Sequence, residues 1–354
     1  MRTVVLALWI GCLAPIGSSA MAERFPDGFT PAGTFDELVR TISFEPDIRV
    51  QINTPPAAAF QPGRPVRLIV YALPNGNTIE WTAGRRIAEG EDWHYEIQHI
   101  AAQTRFLREL DGDATIVVAY VEAAGRSWPT WRRKNDGGSE PIAAVVEALR
   151  GMFAAYDVSV ELAAHSGGGS FLSGFINSAD AIPDWVTRFV MLDSNYSYSD
   201  DEGHGDKLLA WLQRDPRHVL CVMAYDDRYV ELNGKRIVSD TGGTFRATQR
   251  ILNRFRQALC LAEDHLDVPP IGPIKGAETD VAASPPAARC QRWRALNGRC
   301  EFIIHENPQQ RVLHTVMVEL NGFLHAMTRA TRKADRSPAV YTPRAYEAWI
   351  EAAP

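Results

Sequence analysis

The segment Ala164-His165-Ser166-Gly167-Gly168 places a hydroxyl among small neighbours. A serine becomes an effective nucleophile when a sharp strand-to-helix turn lifts its Oγ above the carboxyl edge of a sheet. Small residues two positions before and two after it let strand and helix pack closely. Ala164 departs from the glycine of G-x-S-x-G, yet it meets the same steric requirement. The amide of Gly167 follows the serine at the start of the next helix, where the helix dipole favours developing negative charge. The chemistry such a turn supports is attack on an acyl carbonyl with stabilisation of the oxyanion. Taken alone, the same residues also describe a Gly-rich turn with a capping serine, so the surrounding elements decide.

Those elements alternate. Ile48–Ile52, Pro65–Ala72, Ala114–Val121, Val158–Ala164, Arg188–Asp193 and His218–Tyr225 read as strands. Between them, Glu91–Leu110, Pro141–Tyr156, Phe171–Ser178, Leu208–Arg214 and Thr244–Ala262 carry helical spacing. Glu301–Ile304 and Val312–Leu320 are the last strand candidates, although a helix from Thr315 fits the second run as well. Strand then helix, repeated, predicts an α/β fold with a mostly parallel central sheet and helices on both faces. The Ala164–Gly168 segment then falls between a buried strand and a helix, the context its chemistry requires.

The chain has 354 residues, 45% hydrophobic and 23% charged, with a net charge of -6. That balance argues against a nucleic-acid binder or a polybasic membrane-surface protein. No H-E-x-x-H, paired C-x-x-C or P-loop pattern occurs, so neither a metal nor another cofactor is expected. Residues 1–22 read as an export signal: Arg2, an apolar run from Val4 to Ile16, and Ala20-Met21-Ala22 as an A-x-A cleavage site. Residues 23–46 read as an irregular lead-in. Residues 47–354 read as a single catalytic domain, with an insertion near 267–289 and no membrane span after signal removal. Export, to a secreted or periplasmic location, turns Cys221, Cys260, Cys290 and Cys300 into disulfide candidates, with Cys260–Cys290 a clip around the insertion and Cys221, in its apolar run, alternatively a buried free thiol.

From Asp47 to Thr331 the chain resembles the α/β-hydrolase superfamily, in particular its secreted esterase-like members. The resemblance rests on the strand order, the Ala164–Gly168 elbow and an acid and a histidine downstream in the order Ser, acid, His. It implies an acid after a downstream strand. Aligned on the family pattern G-x-x-D-x-x-V, Ala224-Tyr225-Asp226-Asp227 makes Asp227 the first choice, with Asp226 its competitor and Asp193 the third. It also implies a histidine after the last strand. His325 is favoured if Val312–Leu320 is a strand turned by Asn321-Gly322, and His314 if Thr315 begins a helix. His165 points the wrong way to serve as the base. The second oxyanion donor is expected from Leu73-Pro74-Asn75-Gly76-Asn77, near Gly76 or Asn77.

Trp128 and Trp131 lie where ligands bind in such sheets and would stack on a sugar or aryl group, or simply pack the loop. The reading is a secreted serine hydrolase of carboxylic esters, carbohydrate and aryl esters among them, acting on a small molecule or glycan through an acyl-enzyme. Its rivals are a non-catalytic ligand- or carbohydrate-binding protein on the same fold, and an acyltransferase.

Overall fold

The computed structural model describes residues 25–269 and 288–353. The expected export signal and most of the expected insertion lie outside the described residues. The strands are β1 (Thr30–Ala32), β2 (Glu37–Phe44), β3 (Ile48–Thr54), β4 (Val66–Ala72), β5 (Thr115–Ala123), β6 (Val158–His165), β7 (Val186–Leu192), β8 (Val219–Tyr225), β9 (Glu231–Leu232), β10 (Lys235–Arg236), β11 (Ala262–Val268), β12 (Ala288–Ala295) and β13 (Cys300–His305). Eleven of them form one sheet in the order β1-β2-β3-β5-β4-β6-β7-β8-β13-β12-β11, and β9 and β10 form a separate hairpin. The centre, from β5 to β13, is parallel. Both margins are antiparallel.

Helices α1 (Ile79–Ala83), α2 (Ile100–Leu110), α3 (Trp128–Lys134), α4 (Ser139–Met152), α5 (Gly169–Asn177), α6 (His204–Arg214), α7 (Thr244–Arg256), α8 (Val316–Glu319) and α9 (Gly322–Thr328) cover the two faces. Strand residues divide between the faces with period two. Leu68, Val70, Ala72, Val117, Ala119 and Leu162 pack with Ile142, Phe171, Trp211 and Ile251 of α4 to α7. Ile69, Tyr71, Ile116, Val118, Tyr120 and Ala163 pack with Ile100, Leu107, Val316 and Phe323 of α2, α8 and α9. This is the expected α/β arrangement, a mostly parallel central sheet with helices on both faces, its near-continuous apolar strands buried on both sides.

Three expectations need correction. The lead-in at 23–46 is not irregular: β1 and β2 extend the sheet at one margin, half-exposed strands whose mixed composition hides the pattern. Glu91–Leu110 is not one helix, because His99 takes a left-handed φ of 48° just before α2. Val312–Leu320 is not a strand: a loop runs to Thr315, α8 stops at Glu319, and α9 starts at Gly322. The break expected at Asn321-Gly322 is therefore real, but it separates two short helices.

The four cysteines are unpaired, three of them buried, so the disulfide expectation is also corrected. Cys290 is packed inside β12 while Cys260 is exposed, so the expected clip does not form. Among the described residues no helix is long and apolar enough to cross a membrane.

At the amino end of the central strands, Glu161 on β6 accepts hydrogen bonds from Arg67 on β4 and Arg188 on β7. Those two arginines also donate to the carbonyls of Met327, Ala326 and Arg329, which satisfies the C-terminal end of α9. That buried cluster fixes α9 far from the carboxyl edge.

Candidate active site

At the carboxyl edge β4 and β6 are neighbours, yet the chain leaves them in opposite directions: β4 connects to β5 on one side and β6 to β7 on the other. Ligands bind in such sheets at this kind of switch point. The elbow sits there. His165 ends β6 in extended conformation, and Ser166 turns into the left-handed region with φ 54°. A non-glycine residue held there costs of order 1–3 kcal/mol, and such strain gathers at functional sites. From Val160 to Ile176 every residue is buried except Ser166, which is partly exposed.

The glycines explain the close packing. A methyl on Gly167 would overlap the side chain of Asn75, one on Gly168 the carbonyl of Ala72, and one on Gly169 the carbonyl of Ser194. The turn after β6 is thus pressed between the loops that follow β4 and β7.

His165 pairs in register with Leu192, so Ser166 and Asp193 leave adjacent strands at the same level. Asp193 is fully buried, left-handed at φ 46°, and donates its amide to the Met223 carbonyl. Its Oδ2 accepts a hydrogen bond from His314 Nδ1. Its Oδ1 accepts one from the hydroxyl of Thr244, the first residue of α7. The His314 side chain is 25% exposed, and with Nδ1 engaged its Nε2 is the free nitrogen. The His314 ring lies 4.7 Å from that of His165, next to the serine. His165 Nε2 donates to the His314 carbonyl at 3.0 Å. Burial, with the neighbouring His314 charge adding to it, pushes the His165 imidazole well below its ordinary range. His165 is therefore a neutral positioning group.

Asp227 is equally buried but engaged elsewhere: its Oδ2 accepts the Thr244 amide at 2.8 Å. Burial first, and the Asp193 charge second, raise its carboxyl to about 6. Asp226 pairs with Arg228 at 2.7 Å and does not reach either histidine. His325 lies on α9, where its Nε2 is 2.8 Å from Glu301 Oε2. Burial opposes ionisation of Glu301, but the His325 hydrogen bond and the His325 and Arg329 charges outweigh it and lower its pKa. Glu301 sits opposite Cys221 on β8, whereas Asp193 bonds at Met223 and beyond. The offset is two to three residues, or roughly 7–10 Å along the strands, with two further strands between β13 and β6. The preference for His325 over His314 and for Asp227 over Asp193 is corrected accordingly: the structure pairs His314 with Asp193.

Gly76 and Asn77 are also corrected. The Gly76 amide donates to Arg126 O, in the loop after β5, at 2.8 Å and the Asn77 amide to Pro74 O, within its own turn, at 3.3 Å, so both are already committed. The residue of that loop facing Gly167 is Asn75, which is exposed. Trp128 and Trp131 are 1% and 3% exposed, with indole N–H groups donating to Val121 O and Pro46 O. They pack on each other and on Phe171 as core, not as a substrate platform. Sequence reasoning missed Asn75 and Thr244; the Gly242-Gly243 pair before a helical run was the available signal for Thr244. Among the described residues no group of three or more His, Cys, Asp or Glu side chains is placed to hold a metal ion.

No known family profile matches the chain, and no curated protein does. Solved structures do. One is a cold-adapted esterase from an Arctic intertidal metagenomic library, at 14% identity, 65% of this chain, 84% of that one and a TM-score of 0.37. A second is a ferulic acid esterase, at 13% identity, 64% of this chain, 87% of that one and a TM-score of 0.38. A third is the siderophore hydrolase EstB from Aspergillus nidulans, at 11% identity, 89% of this chain, 99% of that one and a TM-score of 0.40.

Proposed function

We propose that the protein is a serine hydrolase of carboxylic esters in which Ser166, His314 and Asp193 act together. The observation that carries the reading is the hydrogen bond of His314 Nδ1 to buried Asp193, beside the strained, solvent-reached Ser166. Ser166 Oγ attacks the ester carbonyl while His314 Nε2 takes its proton. The same imidazolium then protonates the departing alkoxide, and a water molecule repeats the sequence on the acyl-enzyme to release the acid. Asp193 holds the proton on Nδ1 and stabilises the imidazolium. The Gly167 amide and the Asn75 side-chain amide stabilise the oxyanion. His165, neutral and tied to the His314 carbonyl, holds the histidine loop against the elbow.

Export belongs to the proposal and rests on residues 1–22 alone; the amino-terminal sequence of the mature protein tests it. The reaction is tested with a fluorophosphonate probe. The parent protein should label, while Ser166→Ala and His314→Ala should not label at the same rate. Equal labelling of Ser166→Ala and the parent would overturn the assignment.

A further inference from the structure

Among the described residues, the large hydrophobic side chains left exposed are Tyr196, Tyr229, Leu232 and Ile237, between 36% and 49% exposed. They are not scattered. Tyr196 follows β7 and meets the His314 ring edge-on at 6.2 Å. The other three belong to residues 228–243, the excursion between β8 and α7. The two ends of that excursion meet: Asp227 accepts the Thr244 amide, and Thr244 in turn donates its hydroxyl to Asp193. The excursion therefore rises from the carboxyl edge next to His314.

It is also a built element. β9 and β10 pair with Leu232 opposite Lys235, and Asn233 and Gly234 turn between them at φ 52° and 71°. Two consecutive left-handed residues, Asn then Gly, make the type I′ turn that suits the strand twist of a tight hairpin. Ile237 donates its amide to Val230 O at 3.1 Å and closes the base. The guanidiniums of Arg228 and Arg236 lie 5.5 and 5.3 Å from the Tyr229 ring, each also paired with a carboxylate, of Asp226 and Asp240. Among the described residues, packing within the chain does not account for an ordered ribbon that holds Leu232 and Ile237 in solvent.

We infer that this ribbon, with Tyr196, receives the apolar acyl group of the ester substrate; the inference rests on the assignment of Ser166 and His314. Tyr196 meets the His314 ring, and the ribbon's two ends meet at Asp227 and Thr244, whose hydroxyl bonds the acid that holds His314, so both rise from the sheet edge that carries the site. Four side chains fall far short of the roughly 20–30 residues per side of a stable protein interface. The adjoining cleft of about 270 Å³ is lined by Asp226, Glu306, Asn307 and Gln310, with Tyr229 of the ribbon and Pro308 as its apolar side chains.

The test is kcat/KM on p-nitrophenyl esters from acetate to octanoate, below their solubility limits, for the parent, Leu232→Ser and the triple variant Tyr229→Ser/Leu232→Ser/Ile237→Ser. Full burial of a methylene is worth about fourfold in binding, so the parent should gain up to that factor per added methylene. The triple variant should lose tenfold or more in its octanoate-to-acetate ratio, and Leu232→Ser, at an exposed site, a lesser part of it. An unchanged ratio, an equal fall on acetate and octanoate, no parental gain with acyl length, or a gain that appears only above the solubility limit each overturns the inference. Failure of the underlying assignment looks different: the parent hydrolyses no ester of the series, or Ser166→Ala hydrolyses all of them as well as the parent does.

Discussion

Asp193→Asn should nearly abolish turnover while Asp227→Asn should not, and the size of the difference follows from where Thr244 points. The Thr244 hydroxyl donates to Asp193 Oδ1, and His314 Nδ1 donates to Oδ2. In the asparagine variant the oxygen stays toward Thr244 as long as that hydroxyl keeps donating there. The amide NH₂ then falls against His314 Nδ1, which has to accept instead of donate. The ring proton moves to Nε2, and the histidine loses the lone pair that takes the serine proton. A tautomer error of this kind costs about 10⁴ in kcat, equivalent to about 5 kcal/mol of transition-state stabilisation. Asp227 touches the Thr244 amide and no histidine, and an asparagine oxygen still accepts that N–H. Its variant should stay within about tenfold of the parent. The assay is initial-rate hydrolysis of a soluble p-nitrophenyl ester at pH 8, on protein shown by melting to be folded. Asp193→Asn within tenfold of the parent, or Asp227→Asn as damaging as Asp193→Asn, would refute the reasoning.

His325→Ala should cost stability and not chemistry. It leaves the buried Glu301 carboxylate with Arg329 as its remaining close partner, at 3.2 Å, and breaking a buried pair costs about 3–5 kcal/mol; denaturant midpoints should fall while kcat of the folded fraction holds. Asn75→Ala should lower kcat about 10²–10³-fold with little change in KM, as loss of one oxyanion donor does elsewhere, and an unchanged kcat would remove Asn75 from the site. Stability should also carry the mark of Asp227. Its carboxyl is raised in the fold, so the native state holds a proton that the unfolded chain releases near pH 4. The contribution is greatest below pH 4 and is lost as pH rises through about 6, a fall of up to about 3 kcal/mol. Urea unfolding between pH 4 and 7 should show that slope, and Asp227→Asn should flatten it.

The central strands and the elbow were legible because burial leaves a strong record. Val66–Ala72, Arg67 excepted, and Val219–Tyr225 are apolar, since both faces of a parallel sheet are covered. The elbow needs small residues at fixed offsets, which a sequence displays directly. The margins were harder: β2 and β11 are part-exposed, and their Arg, Glu, Asp and His residues blur the alternation. Asp193 and His314 were among the sequence's candidates but not its first choices, for a spatial reason. Three aspartates end strands and two histidines follow the last one, and the sequence does not state which strand end lies beside which. His314 and His325 were separated only by whether Val312–Leu320 is a strand. That run is apolar with helical and extended periodicity alike, and the Leu313–Leu320 segment is buried by packing under the loops rather than by sheet pairing.

The choice of Asp193 over Asp227 has a geometric cause in the sheet. Asp193 ends β7, one strand from Ser166, whereas Asp227 ends β8, two strands away, or about 9–10 Å against about 5 Å. His314 stacks over the end of β6 through His165, so the nearer carboxylate is the one its Nδ1 meets. Asp227 still matters, through α7. By accepting the Thr244 amide it fixes the first residue of that helix, and the hydroxyl of the same residue then falls on Asp193. One threonine thereby bridges two carboxylates that could not both stay charged at close range without cost. The outer one is the easier to protonate, its carboxyl raised to about 6 by burial and by the Asp193 charge, so below that pH it no longer sets a second charge beside Asp193. Thr244→Val should therefore change both at once: a kcat loss from a less firmly held Asp193, and a shift in the pH dependence of stability from an Asp227 whose helix anchor has moved. A Thr244→Ser variant, which keeps the hydroxyl, should restore both, and failure of serine to restore either would break the link argued between the two acids.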